Sequence, residues 1–211
     1  MDRKFVNPFQ TEDDLLRKSR EAARGLGLEQ ISLGMDEAKT LAMFLRLHGA
    51  RRVVEIGTLT GTSGIYILRA MGKGGALYCL EKEPEYAEIA EPLLRQAAQA
   101  VGAEVRVVVG DATETLKKIS AEGPFDAVFI DANKAAYLHY LDWAESHLRR
   151  GGLLIADNVF LKGAVFGEST GFSEKQVKVM REFNLRIADA QRYYTCFVPT
   201  GEGLAVAIKE F

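Results

Sequence analysis

The stretch Arg52-Val53-Val54-Glu55-Ile56-Gly57-Thr58-Leu59-Thr60-Gly61-Thr62-Ser63-Gly64 decides the architecture. A short strand-forming run ends in an acid, passes into a glycine-rich turn, and a helix follows. Glycines at such a turn let the backbone bend sharply and approach a ligand at a helix N-terminus. Further apolar runs of strand length stand at Ala76-Leu77-Tyr78-Cys79-Leu80, Val105-Arg106-Val107-Val108-Val109, Ala127-Val128-Phe129-Ile130 and Leu153-Leu154-Ile155-Ala156, with a final pair near 194–198 and 204–208. Longer amphipathic segments separate them. One spans 84–101, where Glu and Ala dominate and Pro84 suits a first helical turn. Near-continuous apolar strands of this kind are buried on both faces, as in a parallel sheet covered by helices.

The alternation predicts an α/β fold, a Rossmann-like, doubly wound, mostly parallel seven-stranded sheet. Only Pro199-Thr200-Gly201-Glu202-Gly203 separates the last two strands. That link is too short for a crossover helix, so the pair is expected to be a C-terminal antiparallel hairpin. Gly110-Asp111, Gly151-Gly152 and Gly201-Glu202-Gly203 read as turns. Residues 1–50 read as an N-terminal helical cap, two helices broken at Gly25-Leu26-Gly27, within the same domain as the ligand-binding residues 51–211.

The 211 residues include 27 Lys and Arg against 29 Asp and Glu, a net charge of −2, and 47% are hydrophobic. This composition excludes long disorder, collagen-like repeats and a disulfide scaffold. Near-neutral charge also argues against a protein that lives on nucleic-acid phosphates. Cys79 and Cys196 lie in separate apolar runs, without zinc or redox spacing, and read as reduced core thiols. The opening Met1-Asp2-Arg3-Lys4-Phe5 lacks the apolar stretch of a signal peptide, and no run approaches the roughly 20 apolar residues of a membrane span. A soluble, cytoplasmic protein with no membrane partner is expected.

Acids at the strand tips point to a ligand. Gly57 and Gly61 have G-x-x-x-G spacing, unlike the G-x-G-x-x-G of dinucleotide sites. Glu55 at the first tip would repel a pyrophosphate but accept from a cationic amino-acid moiety. Glu81 ends the second strand, where such folds place a ribose-binding carboxylate, and Asp111 follows the third. Together these acids suit a nucleoside without a pyrophosphate. S-adenosylmethionine, with its sulfonium charge, fits.

The next two tips suggest chemistry. Asp131 follows the fourth strand, and Asp157-Asn158 follows the fifth, bringing hard oxygen donors to one edge of the sheet. Such donors suit Mg²⁺, or Mn²⁺ or Ca²⁺. Lys134, three residues past Asp131, would lie beside that ion and a sulfonium. Its pKa is then expected to fall, making it a base for an acidified phenol or enol.

These motifs give the chain a resemblance from about residue 25 onward. It resembles the metal-dependent S-adenosylmethionine O-methyltransferases of the catechol and caffeoyl-CoA type. The matching stretches are 55–64, 80–86, Ile130-Asp131-Ala132-Asn133-Lys134 with Tyr137, Asp157-Asn158 with Gly163, and Gly201-Glu202-Gly203-Leu204. The resemblance implies that Glu55, Gly57 and Ser63 contact the methionine end of the cofactor. Glu81 would hold the ribose hydroxyls, and Asp111 with Ala112 would line the adenine pocket. The segment Ile31-Ser32-Leu33-Gly34 would close over the cofactor, with Leu33 in contact. Asp131 would serve both cofactor and metal, Asp157 and Asn158 would complete the metal ligands, and Lys134 would be the general base. A small phenolic substrate and a homodimer are likewise implied.

Two departures affect the acceptor. Animal catechol enzymes carry Trp immediately before the lysine, where this chain has Asn133, and an acid shortly before the last glycine turn, where it has Val198-Pro199-Thr200. Trp143 reads as core, and 160–172 as a border of the substrate pocket. An alternative within the family is methylation of 5-hydroxyuridine in tRNA, with Arg17-Lys18, Arg51-Arg52 and Arg149-Arg150 as a local basic rim. An NAD-dependent oxidoreductase is disfavoured by the missing G-x-G-x-x-G, and a non-catalytic scaffold by the presence of Lys134 and the three ligands.

Overall fold

Seven strands form one sheet in the order β3-β2-β1-β4-β5-β7-β6 in a computed structural model that describes residues 11–211. The strands are β1 (Arg52–Ile56), β2 (Ala76–Glu81), β3 (Glu104–Val109), β4 (Phe125–Ile130), β5 (Leu148–Ala156), β6 (Tyr193–Val198) and β7 (Leu204–Lys209). The first five run parallel, while β7 pairs antiparallel with both β5 and β6. The predicted sheet and hairpin are therefore present, with β7 inserted between β5 and its own partner. The beginning of the N-terminal cap, residues 1–10, lies outside the described residues.

Helices α1 (Asp14–Gly25), α2 (Met35–His48), α3 (Thr62–Met71), α4 (Pro84–Val101), α5 (Ala112–Ile119), α6 (Tyr137–His147) and α7 (Glu174–Ile187) cover the two faces. Side chains alternate across a strand, so neighbours in sequence enter opposite layers. Val53, Ala127, Phe129 and Ile155 pack with α2, α3 and α4. Val54, Ile56, Val128, Ile130 and Leu154 pack with α5, α6 and α7. Local signals set the helix ends. Pro84 opens α4 and Gly102 (φ +71°) closes it, while Ser173 and Gln176 form a reciprocal capping box on α7.

Two sequence expectations change. Gly151-Gly152 is not a turn but an irregularity inside β5, whose register shifts from Phe125↔Leu148 to Ala127↔Leu153. Gly151 takes φ +73°, which a glycine accommodates without a Cβ penalty. Cys79 is buried, whereas Cys196 is exposed. Cys196 lies on β6, the edge strand, where alternate side chains of Tyr193–Val198 face outward.

Candidate active site

The strand order reverses between β1 and β4, the place where open α/β sheets bind ligands. Here the β1–α3 loop meets the tip of β4. Gly57 has φ +95°, and a Cβ on it would overlap the Asp131 carbonyl oxygen and lie 2.8 Å from its carbon. Only glycine fits this approach of two strand tips. Glu81 then ties the loop down. Its Oε2 accepts from the backbone N–H of Thr58 (3.1 Å) and Leu59 (2.7 Å), and its Oε1 from that of Glu83 (2.9 Å). These bonds hold Leu59 at φ +51°, a region non-glycine residues seldom occupy.

Glu55 is fully buried at the floor of this loop. Its Oε2 accepts from Thr58 Oγ1 at 3.0 Å, while Oε1 has no partner among the described residues. Burial pushes its pKa up to about 7; hydrogen bonds from Ser63, Cys79 and Thr58 pull the other way, and the Asp131 charge adds to the rise. A half-satisfied buried carboxylate of this kind gains from a cationic partner. Gly110 N–H donates to the Glu81 carbonyl (2.8 Å), which keeps the start of α5 beside β2. Asp111 itself is exposed and caps α5 by accepting from the backbone N–H and hydroxyl of Thr113, bonds that lower its pKa. On the other side, Arg20 donates to the buried Leu33 carbonyl (3.0 Å), and Ser32 Oγ reaches Thr62 Oγ1 (3.4 Å). The segment carrying Leu33 thus docks at the start of α3, next to Ser63.

The neighbouring tips form an acid and lysine cluster. Asp131 N–H donates to the Ile56 carbonyl and Asp157 N–H to the Ile130 carbonyl, both at 2.9 Å. Pairing continues one residue past each strand, so the acids that follow β4 and β5 stand side by side. Lys134 Nζ donates to Asp131 Oδ1 (3.0 Å) and to Tyr137 Oη (2.8 Å). The fully buried Tyr137 hydroxyl faces the carbonyls of Asp157 (2.9 Å) and Ile130 (3.2 Å). Asp157 Oδ1 is buried without a partner among the described residues. Burial, then the charges of Asp131 and Glu37, hold the Asp157 pKa well above the carboxylate range, against the pull of Lys134 and the Asn158 N–H. Among the described residues no three His, Cys, Asp or Glu side chains gather as a metal cluster. A hard cation would therefore take two carboxylates and an amide oxygen, and the orphaned Asp157 oxygen fits that demand.

Residues 8–210 match the family model described as O-methyltransferase. A catechol O-methyltransferase of Niastella koreensis is 34% identical over 204 residues, covering 93% of this chain and 90% of that protein. The chain belongs to the O-methyltransferase family. A catechol O-methyltransferase of Mycobacterium tuberculosis is 39% identical over 158 residues, covering 75% of this chain and 70% of its own length. The O-methyltransferase TomG from Streptomyces achromogenes, solved in complex with SAM, superposes with a TM-score of 0.87 at 32% identity. That superposition covers 98% of this chain and 94% of TomG.

In this O-methyltransferase the sequence-predicted residues Glu55, Gly57, Ser63 and Glu81 surround the β1–α3 loop, with Leu33 beside it. Asp131, Lys134, Asp157 and Asn158 stand at the adjoining tips of β4 and β5. Asp111 and Ala112 lie further out at the β3–α5 junction, with the Asp111 carboxylate engaged in its own cap. The expected fall of the Lys134 pKa belongs to the state with cation and sulfonium bound; the protein's own side chains set the opposite direction. Burial works to lower it, but Tyr137, Asp131 and Asp157 outweigh burial and raise it. The basic pairs do not make a rim at these tips. The backbone N–H groups of Arg51 and Arg52 and the Arg149 guanidinium converge on Asp126 at the opposite end of the sheet, while Arg17 pairs with Asp14.

The contacts of three residues are not legible in the sequence. Tyr137 was visible only as part of the motif around Lys134. Glu37 was legible as a first-turn acid of α2, where it accepts from Gly34 N–H (3.1 Å), but not as a charge acting on Asp157. Glu202 lies in the β6–β7 turn and accepts from Asn158 Nδ2 at 2.7 Å. It supplies an acid beside the proposed ligands although Val198-Pro199-Thr200 has none.

Proposed function

We propose that the protein moves the methyl group of S-adenosylmethionine to one hydroxyl of a catechol-like, vicinal dihydroxy aromatic small molecule, with a divalent cation, Mg²⁺ or Mn²⁺ or Ca²⁺, as cofactor. The observation that carries this reading is the buried, unpartnered Asp157 oxygen beside the Asp131–Lys134–Tyr137 chain. Asp131, Asp157 and Asn158 would hold the cation. Once bound, it would supply Lewis acidity toward a phenolic oxygen and offset the carboxylate charge that keeps Lys134 protonated.

Lys134 has three N–H directions and spends two on Asp131 and Tyr137, which leaves one for the acceptor hydroxyl. In its neutral form it takes the hydroxyl proton onto Nζ. The oxygen lone pair then forms the new O–C bond as the C–S bond breaks and its electron pair returns to sulfur. Glu55 would orient the amino-acid end of the donor, Glu81 its ribose, and Leu33 would shield it from water. Holding donor and acceptor in line contributes on the order of 7–11 kcal/mol, more than any single contact. The segment 160–172 would border the acceptor, and there the rings of Phe160 and Phe166 (centroids 5.4 Å apart), with Phe197 6.2 Å from Phe160, would suit a flat molecule. The family resemblance also carries a cytoplasmic homodimer, for which light scattering of the purified protein tests the assembly.

The deciding assay follows methyl transfer to a panel of catechols, hydroxycinnamoyl thioesters and tRNA, with and without chelator. Catechol methylation that EDTA abolishes and Mg²⁺ restores is expected. Full turnover after exhaustive chelation would sink the metal assignment, and turnover restricted to tRNA would move the substrate to the alternative.

A further inference from the structure

Asn158 is the one candidate ligand whose donor atom is ambiguous. An amide has two ends of nearly equal size, and only Oδ1 can bind a cation. The turn between β6 and β7 resolves the ambiguity. Asn158 Nδ2 donates to Glu202 Oε2 at 2.7 Å, and the Glu202 side chain is only 13% exposed. A carboxylate only accepts, so the NH₂ end must face Glu202 and Oδ1 must point away from it.

The backbone makes this arrangement firm. Val159 N–H donates to the Gly203 carbonyl (3.1 Å) and Phe160 N–H to the Glu202 carbonyl (3.0 Å), clasping the loop after β5 to the hairpin turn. Gly203 takes φ +84°, and a Cβ there would overlap the Phe160 ring. Asn158 itself is held at φ +59°, which Asn tolerates better than most residues. Lys162 Nζ lies 3.7 Å from Glu202 Oε1 and sets a positive charge on the far side of the carboxylate.

We infer that Glu202 is a positioning residue: it fixes the flip of the Asn158 amide so that Oδ1 is the atom offered to the divalent cation. The inference rests on the metal reading above and adds a residue to it. It also explains an amide at position 158, because an aspartate there would face the Glu202 carboxylate across a single hydrogen-bond length. Partners that orient ligands commonly change metal affinity by about 10- to 100-fold when removed.

The test is Mn²⁺ binding to the purified full chain, read by calorimetry and by the free-ion EPR signal, with neither methyl donor nor acceptor present. Melting curves confirm that each variant is folded. Glu202→Gln is nearly isosteric but lets the amide pair flip, so Mn²⁺ binding should weaken by about tenfold or more. In an Asn158→Asp background the same Glu202→Gln change should act in the opposite direction, because it replaces repulsion with an amide donor and strengthens binding. A sign that inverts between the two backgrounds is the expected result. Equal-direction or absent effects of Glu202→Gln, with the unaltered protein binding Mn²⁺, would overturn the positioning role alone. No Mn²⁺ bound by the unaltered protein would overturn both this role and the metal reading.

Discussion

The two halves of the sheet's C-terminal edge use their acids in opposite ways. On the β1–β3 side, Glu81 accepts from three backbone N–H groups and Asp111 Oδ1 from its own helix cap. On the β4–β5 side, Asp157 keeps a buried oxygen without a partner among the described residues, and Asp131 and Glu37 press their charge on it. One half is shaped before any ligand arrives. The other gathers acids that a cation would relieve, and Glu55, with one oxygen bonded and one without a partner among the described residues, stands at the junction.

This division predicts that chemistry and donor binding separate under mutation. Lys134→Ala should reduce turnover by about 10²–10⁴-fold, the usual range for a general base. The proposed donor site rests on β1–β3 and its loop, so S-adenosylmethionine affinity by calorimetry should change little. Equal losses in both measurements would mean that the halves are not independent.

Glu55 gives the next largest effect, this time through pH. Its folded pKa, about 7, lies above the ordinary 4.5. Between those values the folded state binds more protons than the unfolded one, so the sign of the linkage is negative and stability falls as pH rises. The loss is on the order of 3 kcal/mol, complete above about pH 7, and readable in melts of the unliganded protein. A cation seated on Glu55 favours its ionised form. S-adenosylmethionine affinity should therefore rise with pH up to about 7 and then level off, and Glu55→Gln should flatten both profiles. An affinity independent of pH over this range would remove Glu55 from the amino-acid end of the donor.

The same division explains what the sequence could reveal. Acids such as Glu55, Asp131 and Asp157 were readable because each stands at the end of an apolar run, and a parallel sheet aligns such ends. The hairpin was readable from the five residues between its strands. The contact of Glu202 with Asn158 was not, because it joins residues 44 apart through the insertion of β7 beside β5. Glu37 acts on Asp157 only after α2 packs against the sheet. The direction of the Lys134 pKa in the unliganded protein is set in the same way. Its sign depends on Tyr137, Asp131 and Asp157, which act together only in the folded cluster and whose charge a bound cation would oppose.

The smallest expected effect is a pair of opposite signs. Glu81→Gln substitutes an amide NH₂ for one acceptor of the loop's backbone donors, leaving buried N–H groups underpaired. It should destabilise the unliganded protein by about 1–3 kcal/mol. Asp157→Asn removes a buried group whose ionisation burial, Asp131 and Glu37 all oppose, and the new NH₂ can donate toward Asp131. Under EDTA it should stabilise the fold by about 1 kcal/mol, as replacements of strained functional groups often do. Both shifts are measured as melting temperatures on otherwise identical chains. If both variants lose stability, the Asp157 carboxyl is satisfied in solution as Glu81 is, and the contrast between the two halves disappears. If the signs differ, Asp157 is kept at a cost to the fold, which argues that its place is set by what it binds.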